Sequence, residues 1–228
     1  MRLAVIVQAR LNSKRLPRKI LADIGGRPML WHVLNRLHAW DDPPIIVAVP
    51  EGERNEIKEV VRPGEDIRFF EGPEDDVLAR YYYCAKGLGL DATIRVTGDC
   101  PLIDPAACIR VARVFEMGLF DWVANDVVAS YPNGLGCEGF SFAALELAHQ
   151  TWKDQPRREH VSPGIVRDKR LTGLNLRCHI NGISDLKLSV DTQADLDFVR
   201  AIDAARPKDF SLQSTLEAID RVKTKNVA

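Results

Sequence analysis

The chain has 228 residues, 46% hydrophobic and 28% charged, ordinary proportions for a globular domain that exclude disorder, collagen, coiled coil and a disulfide-dense module. Its apolar runs, such as Leu3–Val7 and Ile45–Val49, fall far short of the roughly 18–20 residues that span a bilayer, so no membrane crossing is expected. The net charge of −1 supplies no global field for nucleic acid or anionic lipid, yet residues 1–22 hold Arg2, Arg10, Lys14, Arg15, Arg18 and Lys19 with no acid, leaving −7 on the remainder.

Strand-length apolar runs alternate with helix-periodic stretches. Leu3–Ala9 reads as a strand buried on both faces. From Pro28, placed at the first helical position, Met29, Leu30, Val33, Leu34 and Leu37 share one helical face. Strand Ile45–Val49, helix Glu53–Val61, strand Ile67–Phe70, helix 75–87 and strand Ala92–Thr97 follow. Asp104 and Pro105 read as the cap and first residue of a helix to about Met117, before strand Asp121–Asn125. Val127–Phe140, with Tyr131-Pro132-Asn133-Gly134 and two further glycines, reads as a hairpin or excursion. Residues 141–150 look helical, and Pro156–Arg170 is a charged, partly helical connector. Strands are expected near 173–179 and 185–190. Thr192-Gln193-Ala194-Asp195 resembles a capping box opening a helix to about Ala205. A helix near 212–222 precedes a polar tail, 223–228. The alternation predicts an α/β, doubly wound, mostly parallel sheet in a single domain, 1–228.

Five cysteines (Cys84, Cys100, Cys108, Cys137, Cys178) without a C-x-x-C pair support neither a disulfide framework nor a zinc site, which fits reduced thiols and a cytoplasmic location. The basic N-terminus is not read as a transit peptide, because Leu3–Val7 is a β-run and Pro17 breaks any amphipathic helix.

Ligands of open α/β sheets bind where the carboxyl ends of the strands converge. That selects Gln8–Lys19, then Gly98-Asp99-Cys100-Pro101, then Asp191-Thr192: one strongly basic segment and two carboxylates. Five of the ten residues 10–19 are cationic, a concentration whose mutual repulsion is seldom accepted for packing alone. Arginine forks onto phosphate oxygens and lysine acts as a mobile point charge, while a strand-end carboxylate can hold Mg²⁺ together with phosphate oxygens. The parts are those of a metal–polyphosphate site. It is not a P-loop, since no G-x-x-x-x-G-K-[ST] occurs. Read alone, the loop is equally a solvated basic turn, Asp99 a bare Gly-Asp turn and Asp191 a helix-dipole partner.

Val7-Gln8-Ala9-Arg10-Leu11-Asn12-Ser13-Lys14-Arg15-Leu16-Pro17-Arg18-Lys19 and Gly26-Arg27-Pro28-Met29-Leu30 resemble the opening of the cytidylyltransferases that activate acidic sugars, most closely the spore-coat polysaccharide SpsF-like branch. Glu71–Leu78, Thr97–Pro105, Arg158-Glu159-His160-Val161 and Val190-Asp191-Thr192 resemble further motifs of that branch, in its order, nearly end to end. The resemblance implies a Rossmann-like sheet of the nucleotidyltransferase type and transfer of CMP from CTP to an acidic sugar or another oxygen nucleophile, releasing pyrophosphate, in surface polysaccharide or glycoconjugate biosynthesis. It implies Arg10, Lys19 and Asp99 as catalytic residues, with Gln8, Ala9, Arg15, Thr97 and Gly98 completing the nucleotide site. It implies Mg²⁺ on Asp99 and Asp191, and a homodimer formed through the 127–140 excursion. Glu138, Arg158 and His160 are acceptor-side candidates, His160 being equally a structural histidine and Glu159 a solvated charge. The sequence departs from the family pattern at Arg18, where relatives usually carry glycine, at Lys14 in place of a small hydroxyl residue, and at Gly136, where Asp is common.

Two other classes compete. Gly134-Leu135-Gly136-Cys137-Glu138-Gly139 matches G-x-G-x-x-G, with Glu159 twenty residues on, as in a dinucleotide-binding oxidoreductase. That fingerprint belongs after a first strand, not deep in a chain. The other is a catalytically silent nucleotide-binding relative. A nucleic-acid partner is not expected, because no aromatic residue interleaves with Arg10–Lys19.

Overall fold

The computed structural model describes residues 1–40, 43–61, 68–205 and 209–225. In chain order the elements are β1 (Leu3–Gln8), β2 (Asp23–Ile24), β3 (Arg27–Pro28), α1 (Met29–Leu37), β4 (Ile45–Pro50), α2 (Arg54–Val61), β5 (Arg68–Gly72), α3 (Val77–Leu88), β6 (Ala92–Thr97), α4 (Pro105–Phe115) and β7 (Trp122–Ala124). Then come β8 (Glu138–Ser141), α5 (Phe142–Thr151), α6 (Gln155–His160), α7 (Ser162–Ile165), β9 (Gly173–Asn175), α8 (Gln193–Ala205) and α9 (Leu212–Lys225). The main sheet has the order β5-β4-β1-β6-β8-β7-β9. β8 runs antiparallel to both its neighbours and the other pairs are parallel, so the α/β, mostly parallel sheet expected from the alternation is present.

Period-two alternation assigns the two faces of β1. Val5 and Val7 pack with α1 and α4 through Leu30, Leu34, Cys108 and Val111. Ala4 and Ile6 pack with α3 and α5 through Leu78, Tyr81 and Leu145. A third apolar cluster joins α8 and α9 to Met29, Leu135, Leu188 and Val190, tying the C-terminal helices to the carboxyl edge of the sheet. Side-chain caps set several helix starts: Asp76 accepts from Ala79 N at 3.0 Å and Asp104 from Ala106 N at 2.9 Å. Thr192 N donates to Asp195 Oδ2 at 2.9 Å and Asp195 N to Thr192 Oγ1 at 3.3 Å, a reciprocal capping box.

Several expectations are corrected. Pro28 is the extended residue before α1, so the helix opens at Met29. Ile67 lies outside the described residues, and β5 begins at Arg68. The region 127–140 belongs to the connection between β7 and β8, consecutive strands that pair antiparallel, and its end is β8 itself, inserted between β6 and β7. The connector 156–170 holds two short helices parted at Val161, a β-branched residue at φ 59°. The strand near 173–179 is limited to β9, and that near 185–190 to one bridge between Asn133 and Lys187. Here Leu186 O accepts from Asn133 N, and Leu188 N and Ser189 N donate to Asn133 O. α9 continues to Lys225, so the start of the expected tail is helical, while 226–228 lie outside the described residues. No helix among the described residues is long and apolar enough to cross a membrane.

Candidate active site

From β1 the chain adds β4 and β5 on one side, then returns to place β6 on the other. The reversal falls at the ends of β1 and β6, where Gln8 and Thr97 are register partners. Gly98 N donates to Gln8 O at 2.8 Å. A β-carbon at Gly98 would stand 3.0 Å from that oxygen and 3.2 Å from Ala9 Cβ, so the close approach of the two loops favours glycine here. Above this point opens a cavity of about 860 Å³.

The loop after β1 is pinned by its backbone. Ala9 N donates to Ala48 O at 3.0 Å, and Leu11 N to Glu53 Oε2 at 2.8 Å. Arg18 N closes back on Leu11 O at 2.8 Å. Arg18 has φ 59°, a left-handed conformation that costs a non-glycine residue about 1–2 kcal/mol. This accounts for the glycine usual there. Its side chain pairs with Glu56 and does not border the cavity, so it neither adds to nor blocks the cationic wall.

Lys19 is the junction of the site. Its Nζ donates to Asp99 Oδ2 at 2.6 Å, to Val190 O at 2.7 Å and to Asp191 Oδ1 at 3.1 Å. Arg15 reaches the same Asp191 oxygen at 2.7 Å, and Lys187 reaches Asp191 Oδ2 at 3.3 Å. Burial works against the Asp191 charge, but Lys19, Lys187 and Arg15 outweigh it and hold the carboxyl below its ordinary range. The two acids therefore converge. Three oxygens around one ammonium form a cation-binding set, and the lysine is its stand-in cation. With no group of three or more His, Cys, Asp or Glu donors among the described residues, these oxygens fall short of an all-protein cage. They match an octahedral ion that draws its remaining ligands from phosphate and water.

Gln8, Ala9, Arg10, Lys14, Arg15 and Lys19 border the cavity from the first loop, and Thr97, Gly98 and Asp99 from the second. His160 and Asp191 also border it. Glu138 and Arg158 do not. Arg158 Nε donates to Asp76 Oδ2 at 2.8 Å and its Nη1 to the carbonyls of His149 and Trp152, which makes it a strut between α3 and α5. The Glu138 side chain is 4% exposed and receives Arg95 Nη1 at 2.7 Å, while Arg95 Nε donates to Gln8 Oε1 at 3.0 Å. Glu138 thus orients a cavity-lining arginine from behind. It also faces Asp126, whose carboxyl is pushed up to about 8 by burial and by Glu138. Asp126 is exposed as a residue, yet its carboxyl stands where a side chain at Gly136 would go, with Oδ2 2.5 Å from the position of a β-carbon there.

Sequence reasoning did not single out Arg80 or Arg95, and took Glu159 for a solvated charge; all three line the cavity. Glu159 Oε1 lies 3.5 Å from Arg10 Nη2. Arg95 carried a signal, as a charge within a central strand. Arg80 carried another, because it falls three residues after Val77 and four before Cys84 on the buried stripe of α3. The G-x-G-x-x-G glycines have packing roles away from any first strand. A β-carbon at Gly134 would lie 2.4 Å from Ser189 N, and Gly139 sits in β8 against Phe115, so the dinucleotide reading fails.

Residues 4–217 match the family model described as Cytidylyltransferase. The chain belongs to the cytidylyltransferase family. It is 31% identical over 224 residues to a Methanocaldococcus jannaschii protein described only as uncharacterized, covering 92% of this chain and 90% of the other. It is 28% identical over 240 residues to the 3-deoxy-manno-octulosonate cytidylyltransferase of Brucella suis, covering 88% and 95%. Among solved structures, a cytidylyltransferase from Leptospira borgpetersenii superposes with a TM-score of 0.87 at 23% identity, over 100% of this chain and 96% of that one. A CMP:2-keto-3-deoxy-manno-octonic acid synthetase complexed with CTP superposes at 0.71 and 17% identity, over 90% and 99%. This cytidylyltransferase is thus a nucleotidyltransferase enzyme, and the SpsF-like resemblance of its motifs agrees with its family.

Proposed function

We propose that this enzyme transfers CMP from CTP to an oxygen of an acidic sugar, or a related nucleophile, releasing pyrophosphate in the biosynthesis of a surface polysaccharide or glycoconjugate. The observation that carries the reading is Lys19, held between Asp99 and Asp191 beside the cationic loop. Arg10, Arg15 and Lys19 bind the triphosphate, with Gln8, Ala9, Thr97 and Gly98 shaping its floor. Asp99 and Asp191 would hold Mg²⁺, which when bound neutralises charge on the phosphates. The acceptor oxygen attacks the α-phosphorus in line and the bond to the β-phosphate oxygen breaks. The chain's task is positioning and electrostatic stabilisation, with no covalent enzyme intermediate. As the nucleotide phosphates arrive, Lys19 exchanges its carboxylate partners for phosphate oxygens.

On the acceptor side His160 faces the cavity, Arg95 is oriented by Glu138, and Arg158 braces the wall that carries His160. The protein acts as a cytoplasmic homodimer through the 127–140 excursion, where Val127 and Val128 are exposed, and the five cysteines are free thiols. The test is pyrophosphate release from CTP and a panel of sugar acids with Mg²⁺. Activity is expected with at least one sugar acid and is lost in Asp99→Ala while circular dichroism shows the variant still folded. Equal turnover by the variant would refute the metal assignment.

A further inference from the structure

Among the described residues two non-glycine residues have positive φ, Arg18 and Val161. Arg18 is left-handed helical, at φ 59° and ψ 23°, but Val161, at φ 59° and ψ −75°, stands close to the rare and strained form of the γ-turn. For a β-branched residue this is a costly backbone. Val161 is also fully buried, so solvent does not dictate the turn, and glycine, which takes positive φ at Gly89 and Gly182, is not used here. A strained residue persists where its surroundings over-determine it, and such residues cluster at functional sites.

The backbone of Val161 serves both neighbouring helices. Its N donates to Arg157 O at 2.9 Å, closing α6, and its O accepts from Gly164 N at 3.3 Å and Ile165 N at 3.4 Å, opening α7. The side chain is sunk in the apolar cluster with Tyr81, Trp152 and Ile165. α6 buries no residue of its own; Arg158, bonded to Asp76, and Gln155 Nε2, donating to Asp75 O at 2.5 Å, tie it to the start of α3. His160 is exposed and borders the cavity, so its backbone sets where the ring stands. On the other side of the turn, Ser162 Oγ accepts from Arg95 Nη1 at 3.3 Å and donates to His160 O at 3.4 Å. In an unbroken helix residues 160 and 162 would not face each other; the turn brings both to the cavity wall. Glycine would reach these dihedrals without strain but would leave the pivot with no apolar anchor. The stiff, buried valine supplies one.

We propose that Val161 is a positioning residue for the acceptor side of the site, its buried side chain holding a strained turn that fixes His160 over the cavity and, through Ser162, the guanidinium of Arg95. The assignment rests on the acceptor reading of His160 above. The test joins ¹⁵N relaxation of the full chain, which needs no acceptor, to pyrophosphate release from CTP, Mg²⁺ and the same panel of sugar acids, for wild type, Val161→Gly and Val161→Ile. Wild type is expected to show backbone order parameters of about 0.85 over residues 159–162, and Val161→Gly values below about 0.6. A misplacement of about an ångström can cost a hundredfold, so Val161→Gly should lower kcat/KM for the sugar acid by about tenfold to a hundredfold with the KM for CTP unchanged. Val161→Ile, which keeps the branched anchor, should behave as wild type. Should Val161→Gly fail to fold, wild type decides alone: order parameters near 0.85 at residues 159–162 support the proposal and values below about 0.6 overturn it. Unchanged order or an unchanged kcat/KM in folded Val161→Gly, or a KM for CTP that rises in step, overturns the proposal while the CTP reading stands. If wild type turns over no sugar acid, the acceptor reading fails, and the order parameters still decide whether Val161 holds the turn.

Discussion

Replacing Lys19 by Met removes the ammonium that neutralises Asp99 and Asp191, and the structure sets the scale of the consequence. The Lys19 side chain is 11% exposed, those of Asp99 and Asp191 28% and 22%. Removing one partner of a fully buried pair costs about 3–5 kcal/mol. Water reaches these carboxylates, and Arg15 and Lys187 still serve Asp191, so the cost here is about 2–3 kcal/mol, most of it at Asp99. For a chain of this size that lowers Tm by roughly 5–10 °C. The freed oxygens then become a divalent-ion site without nucleotide, and Mg²⁺ at ten times its Kd returns about 1.4 kcal/mol. Scanning calorimetry of wild type and Lys19→Met, each with and without Mg²⁺, reads both effects. A variant Tm within about 2 °C of wild type, or an equal Mg²⁺ shift in the two proteins, would refute the view that lysine and metal share one set of oxygens.

Asp195 accepts from Asp191 N, Thr192 N and Thr192 Oγ1, and Lys187 Nζ pairs with it at 2.6 Å. Against the effect of burial, these donors hold its carboxyl well below the usual range. Its stabilisation is therefore present above the ordinary carboxylate pKa and is lost as pH falls through the lowered folded value. Asp195→Ala should cost about 1–2 kcal/mol at pH 7 in urea unfolding, with the gap narrowing under acid; a gap independent of pH would contradict this. Gly136→Asp places its β-carbon against Asp126 and should destabilise by about 1–3 kcal/mol, an effect largely relieved in the double variant with Asp126→Ala. Additive losses would show that the two positions do not share space. Because the Asp126 pKa is raised on folding to about 8, the single variant Asp126→Ala should also remove a loss of wild-type stability as pH rises from about 4 towards 8.

Much of the candidate site was legible in order along the chain. Strand ends at Gln8 and Thr97, a loop dense in cations and an acid following Val190 are local features, readable from period, punctuation and charge. The strand near 185–190 was misread because Leu188 and Val190 are apolar for packing against α8 and α9, not for pairing in a sheet. Arg158 was read as a substrate contact because charge in a motif looks functional, whereas its guanidinium is spent on Asp76 and two carbonyls. Glu138 is a second case, a strand residue whose carboxylate serves Arg95.

Local physics in the chain itself determined the alternating elements, the burial of β1 on both faces and the gathering of positive charge after it, since each depends on residues a few positions apart. Tertiary structure alone decided that Lys19 meets Asp99 and Asp191, which lie 80 and 172 positions away. It also decided that β8 enters the sheet antiparallel and that Arg80 is left beneath the cavity without adequate acceptors. Hydrogen bonds and ion pairs act over a few ångströms, so which charges are satisfied and which wait for a ligand is settled only when distant segments pack together.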